Sequence, residues 1–132
     1  MAGELVLIIE DNEKNLKLVR DVLQFNGYRT AEAMSAEYGL LLARKEPPDL
    51  ILMDIQLPGM DGIAALKVLR SDPATQQIPV MALTASATTL DRQHILAAGF
   101  DGYETKPISV KEFTAQIGNI LDRRKKTPGE GT

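Results

Sequence analysis

Glu10 and Asp11 follow the apolar run Leu5-Val6-Leu7-Ile8-Ile9, and Asp54 closes the run Leu50-Ile51-Leu52-Met53. Thr84 closes Pro79-Val80-Met81-Ala82-Leu83, and Lys106 follows the short segment Gly102-Tyr103-Glu104-Thr105. Glu10, Asp11 and Asp54 drawn together against one lysine would repel strongly, and burial sharpens the conflict. Either a carboxyl pKa rises or a cation binds. An all-oxygen donor set without His or Cys suits Mg²⁺, which takes one or two carboxylates and keeps several waters. A carboxylate can also attack phosphorus and form an acyl phosphate. Phosphoryl transfer then needs mainly charge neutralisation and positioning. Asp54, at the end of the central apolar run, is the natural nucleophile. Lys106 supplies a point charge for a phosphate oxygen, and Thr84 a hydroxyl donor.

These residues meet only if the chain folds so that the apolar runs lie side by side. The runs at Leu5 and Leu50 are continuous rather than alternating, the pattern of strands buried on both faces of a parallel sheet. Helical spacing separates them. Leu16, Val19, Val22 and Leu23 mark a helix that stops near Asn26-Gly27. Tyr28 to Ala33 reads as a short strand, after which Ser35 can cap a helix carrying Tyr38, Leu41 and Leu42, stopped by Pro47-Pro48. A loop with Pro58, Gly59, Asp61 and Gly62 leads from Asp54 into a helix bearing Ile63, Leu66 and Leu69. Thr88-Thr89-Leu90-Asp91 and Ser109-Val110-Lys111-Glu112 both fit capping boxes. The first precedes Leu90, His94, Ile95 and Ala98, ending at Gly99; the second precedes Phe113, Ile117, Ile120 and Leu121. Alternating strand and helix units imply an α/β fold, a parallel sheet covered by helices on both faces. In such a sheet ligands bind beyond the carboxyl ends of the strands, where the acids, Thr84 and Lys106 all fall.

The bulk numbers agree with this picture. A chain of 132 residues is about one domain. The absence of cysteine excludes disulfide scaffolds and thiolate metal sites. A net charge of -3 argues against nonspecific nucleic-acid binding. No apolar run approaches a membrane span, and the expected location is the cytoplasm. The segment 4–122 reads as the domain. Residues 123–132, basic and then rich in Gly and Pro, read as a flexible tail.

The set Glu10-Asp11, Asp54 with Pro58-Gly59-Met60-Asp61-Gly62, Thr84-Ala85 and Lys106-Pro107 resembles the receiver domain of two-component response regulators. The resemblance covers about Glu4 to Asp122. It is closest to the single-domain regulators of that family; an isolated receiver from a larger regulator or hybrid kinase is the alternative. It implies a flavodoxin-like (βα)5 fold with strand order 2-1-3-4-5. It further implies that Asp54 accepts a phosphoryl group from a histidine kinase or phosphotransfer protein in a Mg²⁺-dependent reaction. The chain would then act as a phosphorelay switch rather than an enzyme. Asp11, Asp54 and the Gln56 backbone carbonyl would ligate the metal. Glu10, longer by a methylene than the Asp common there, would act through water. Lys106 would pair with Asp54 or its phosphate across a cis Lys106-Pro107 bond. Thr84, Tyr103 and Lys106 would form the switch, Ala85 would leave donor access, and Gln56 and Ser86 would tune dephosphorylation. A downstream protein would dock on the Thr89 helix, the Tyr103 strand and the Val110 helix; neither nucleic acid nor membrane is an expected partner.

Plainer roles exist for several of these residues. Glu10 and Asp11 would also favour a helix N-terminus. Tyr103 could be simple packing. His94 reads as a surface residue, Arg123 to Lys126 as a solvated helix end, and Met34, Met53, Met60 and Met81 as core filling. An aspartyl-phosphate hydrolase would need an acid where Gln56 stands. No phosphate-binding glycine motif follows a strand, which argues against a nucleotide site.

Overall fold

The computed structural model describes residues 3–85 and 88–125. Its strands are β1 (Leu5–Ile9), β2 (Arg29–Ala33), β3 (Leu50–Asp54), β4 (Val80–Thr84) and β5 (Gly102–Thr105). Its helices are α1 (Glu13–Phe25), α2 (Ala36–Lys45), α3 (Gly62–Ser71), α4 (Thr89–Ala98) and α5 (Val110–Lys125). The strands form one parallel sheet in the order β2-β1-β3-β4-β5, as expected.

Strand alternation splits the core into two layers. Leu7, Ile9, Ile51, Met53, Val80 and Ala82 face Ala36 and Ala43 of α2, Leu66 and Leu69 of α3, and Ile95 of α4. Val6, Ile8, Leu50, Leu52, Met81 and Leu83 face Leu16, Val19 and Leu23 of α1 and the Phe113, Ile117, Ile120 and Leu121 stripe of α5. Full burial of each large apolar side chain contributes about 1.5–3 kcal/mol. This explains the unbroken runs in β1, β3 and β4, which have no solvent face.

The inner face of α2 differs from its apolar spacing. Tyr38 is 51% and Leu41 59% exposed, while Ala36, Gly39 and Ala43 are buried. The helix lies so close to β1 that a Cβ on Gly39 would overlap the Ile9 side chain, so small residues take the inner face. Met34 is also 45% exposed rather than core filling, unlike the fully buried Met53 and Met81. Leu90, at the start of α4, is 61% exposed, and only Ile95 of that helix is buried. His94 is exposed. Helix α5 continues to Lys125, past Asp122. Basic residues at a helix C-terminus are favourable there, and Arg123 also donates to the Asp101 carbonyl at 3.4 Å. Ser86 and the tail from Lys126 onward lie outside the described residues.

At the amino ends of β4 and β5, Asp101 ties the sheet together. Its Oδ2 accepts from Val80 N at 2.8 Å and from Arg70 Nη2 at 3.0 Å. Arg70 Nη1 donates to the carbonyls of Ile78 and Gln76 at 2.6 and 3.2 Å. This clasp sits at the pole opposite the strand-end acids. Among the described residues no helix is long and apolar enough to cross a membrane.

Candidate functional site

Sheet register decides what meets at the carboxyl pole. Ile9 lies beside Met53, Asp54 beside Leu83, and Thr84 beside Thr105. Glu10, Asp54, Thr84 and Lys106 therefore end at neighbouring positions along one sheet edge. The ladder continues just past the strands: Glu10 N donates to Ala33 O at 3.0 Å, Ile55 N to Leu83 O at 3.0 Å, and Lys106 N to Thr84 O at 2.8 Å.

Local structure fixes each side chain. Asn12 caps α1, its Oδ1 accepting from Lys14 N and Asn15 N, and Asn12 N donates to Glu10 Oε2 at 3.0 Å. Asp61 caps α3 by accepting from Ala64 N at 2.8 Å. Gly62 opens that helix against β3, where a Cβ would stand 2.7 Å from the Asp54 carbonyl oxygen and 2.9 Å from Ile55 Cα. Only glycine permits so close an approach. The Lys106-Pro107 bond is cis, as expected.

The result is an open cleft of about 530 Å³ lined by Glu10, Asp11, Asn12, Asn15, Asp54, Gln56, Ala85, Lys106 and Pro107. Oxygens of Glu10, Asp11 and Asp54 lie within 4.8 Å of one another. Glu10 is fully buried, Asp54 is 3% exposed, and Asp11 is open to solvent. Lys106 Nζ stands 2.8 Å from Glu10 Oε1 and 3.0 Å from Asp54 Oδ2. Gln56 N donates to Asp54 Oδ1 at 3.0 Å. Burial pushes the Glu10 carboxyl up, more than Lys106 and Asn12 N pull it down, and the Asp54 charge adds to the rise. Burial alone would lower the Lys106 pKa, but its two carboxylate partners outweigh it and the value is raised.

All the predicted metal-site acids thus share one cleft with Lys106, and Gln56 lines it too. The sharing of Lys106 between Glu10 and Asp54 is additional. Thr84 is 4% exposed at the end of β4. Tyr103 is half-buried, with its ring packed on the α2–α3 side of the core and the Arg92 guanidinium 5.4 Å from its centroid. Asn12 escaped sequence reasoning although a capping residue directly before a helix is a usable signal. Glu104 also escaped it. Its carboxylate accepts from Ser109 N at 3.2 Å and from Gln116 Nε2 at 2.8 Å, so it occupies the N–H that a capping box would offer to Glu112.

An all-oxygen set of two buried acids and one exposed acid, only partly balanced by Lys106, fits a hard divalent cation such as Mg²⁺. Residues 6–118 match the family described as "Response regulator receiver domain". The chain is 46% identical over 116 residues to the polar-differentiation response regulator DivK of Brucella ovis, covering 88% of this chain and 94% of that protein. A DivK from Brucella anthropi is 45% identical over the same length. Among solved structures, the receiver domain of a Pseudomonas aeruginosa sensor histidine kinase, with magnesium coordinated in its active-site cleft, superposes with a TM-score of 0.84 at 31% identity. That match covers 92% of this chain and 99% of the kinase domain's chain. A CheY-like receiver protein from Methanospirillum hungatei gives a TM-score of 0.85 at 28% identity, covering 95% of this chain and 98% of its own.

Proposed function

The chain belongs to the response regulator receiver family, and on that premise we propose that it is a phosphorylation-dependent switch with Asp54 as phosphoacceptor. The observation that carries this reading is the setting of the Asp54 carboxylate. It lies between Lys106 Nζ and Gln56 N, each at 3.0 Å, beside Glu10 and Asp11. The donor is a phosphohistidine on a sensor kinase or phosphotransfer protein. An Asp54 oxygen forms the new P–O bond while the donor's P–N bond breaks, and the imidazole leaves with the electron pair and takes a proton.

Mg²⁺, held by Asp11, Asp54 and the Gln56 carbonyl with Glu10 acting through water, would neutralise charge on the transferring phosphoryl group. Lys106 holds Asp54 in place beforehand and offers its ammonium to a phosphoryl oxygen afterwards. Thr84 supplies the hydroxyl that follows the phosphate, and Tyr103 turns inward behind it. The small Ala85 keeps the cleft open to the donor. The changed surface of α4, β5 and α5 then meets a downstream protein. We place the protein in the cytoplasm, with no nucleic-acid or membrane contact. The same site would serve a receiver within a hybrid kinase, a reading favoured by the similarity to the Pseudomonas aeruginosa kinase domain.

Incubation with Mg²⁺ and acetyl phosphate, followed by intact mass, tests the proposal. One phosphoryl adduct is expected in the wild type and none in Asp54→Asn. An adduct that persists in the variant, or that forms equally without Mg²⁺, overturns it.

A further inference from the structure

Glu104 has no part in the chemistry above, yet it is only 3% exposed. It shares a face of β5 with Gly102, where a Cβ would meet Gln116 and Ile120 of α5 at 3.3 Å, so its carboxylate is turned into the sheet–α5 interface. Among the described residues its partners are hydrogen-bond donors and not a cation. Burying a carboxylate without a counter-charge is unfavourable, and an apolar side chain would pack there more cheaply. What the carboxylate offers instead is two bonds across a short loop. Ser109 N lies directly before α5 and Gln116 Nε2 comes from its second turn, and Ser109 O accepts from Phe113 N at 2.8 Å to open the helix. Between Glu104 and Ser109 lie Thr105, Lys106, Pro107 and Ile108. On the other side, Lys106 N is fixed to Thr84 O at 2.8 Å.

We propose that Glu104 is a positioning residue: its carboxylate clasps the start of α5 to β5 and so holds the loop from which the Lys106 ammonium reaches Glu10 and Asp54. This deepens the phosphoacceptor reading and rests on it. An untethered loop would let Lys106 move on a flexible stem, and the ion pairs at 2.8 and 3.0 Å would be sampled rather than held. The raised carboxyl pKa, caused first by burial and also by the charge of Glu112, is in keeping with a group chosen for its acceptor oxygens and not for its charge. In either protonation state an oxygen remains to accept from Ser109 N.

The test uses Glu104→Leu, which keeps the volume but removes both acceptors, and Glu104→Gln. The glutamine can accept from Ser109 N and donate to a flipped Gln116 amide. The first readout is the Lys106 ammonium NMR signal in the unmodified, metal-free protein. The second is affinity for beryllofluoride in the presence of Mg²⁺. Glu104→Leu is expected to lose the slowly exchanging ammonium signal and to bind beryllofluoride roughly tenfold more weakly. Glu104→Gln is expected to keep the signal and stay within about threefold of the wild type. A wild-type signal and affinity in Glu104→Leu, or equal impairment of both variants, overturns the proposal. If the wild type binds no beryllofluoride, the phosphoacceptor reading fails, while the ammonium signal still judges Glu104. If Glu104→Leu does not fold, the signal is read in Gln116→Ala, which removes one donor from the clasp; an unchanged signal there overturns the proposal.

Discussion

The cleft and the β5–α5 interface use buried carboxylates in opposite ways. Glu10 shares an ammonium with Asp54, whereas Glu104 is satisfied by a backbone N–H and an amide. The difference has a pH signature. Burial, with help from Glu112, raises the Glu104 pKa above its ordinary 4.5, and the Ser109 and Gln116 bonds only partly offset this. Over the interval between the unfolded and folded values the native state binds more protons than the unfolded chain. Stability is therefore fully present below the ordinary value and falls as pH rises through the raised one. Glu104→Gln is expected to flatten that part of the profile, as followed by urea denaturation at a series of pH values. An unchanged slope would mean that Glu104 titrates alike in both states.

Among the elements, helix α3 begins directly against the backbone of the proposed phosphoacceptor. Asp61 caps it and Gly62 lets its first turn press on the backbone of Asp54 and Ile55. Gly62→Ala inserts a methyl group at 2.7 Å from a backbone oxygen, which only a shift of β3 or α3 can relieve. The expected loss is about 1–3 kcal/mol of stability. Mg²⁺ affinity should fall with it, and chemical denaturation and a metal titration check the two together. Stability loss with unaltered Mg²⁺ affinity would show that the strain is absorbed away from Asp54. The elements were also where sequence reasoning succeeded and failed. Strands β1, β3 and β4 were readable because their runs are apolar throughout, and the acids, Thr84 and Lys106 were readable because they end strands. Glu104 was not, because an acid inside a four-residue strand looks like a solvent-facing position until α5 is seen to cover it. Tyr38 and Leu41 misled for a related reason: helical spacing gives a face, but the closeness of Gly39 to Ile9 decides which face turns inward.

At the scale of the molecule the two poles of the sheet are divided by task. The carboxyl ends gather the charges of Glu10, Asp11, Asp54 and Lys106, while the amino ends of β4 and β5 are closed by the Asp101–Arg70 clasp. Groups this far apart and without shared partners are expected to act additively. Asp101→Ala leaves Val80 N and Arg70 Nη2 without their acceptor and should cost about 1–3 kcal/mol of stability. Its Mg²⁺ affinity should stay within about twofold of the wild type. Thermal melting with a parallel metal titration tests this, and a large change in metal affinity would show that the poles communicate.

The cleft is also assembled from residues far apart in the sequence. Glu10 and Asp11, Asp54 and Gln56, Ala85, and Lys106 come from separate turns that meet only when β1, β3, β4 and β5 are aligned in register. No one turn supplies Glu10, Asp54 and Lys106 together. If Asp54 is the phosphoacceptor we propose, a chain that is misfolded, or not yet folded, would lack the neighbours that set its carboxylate for a donor. On the proposed function, receipt of the signal would double as a quality check, since only a finished sheet could be spoken to.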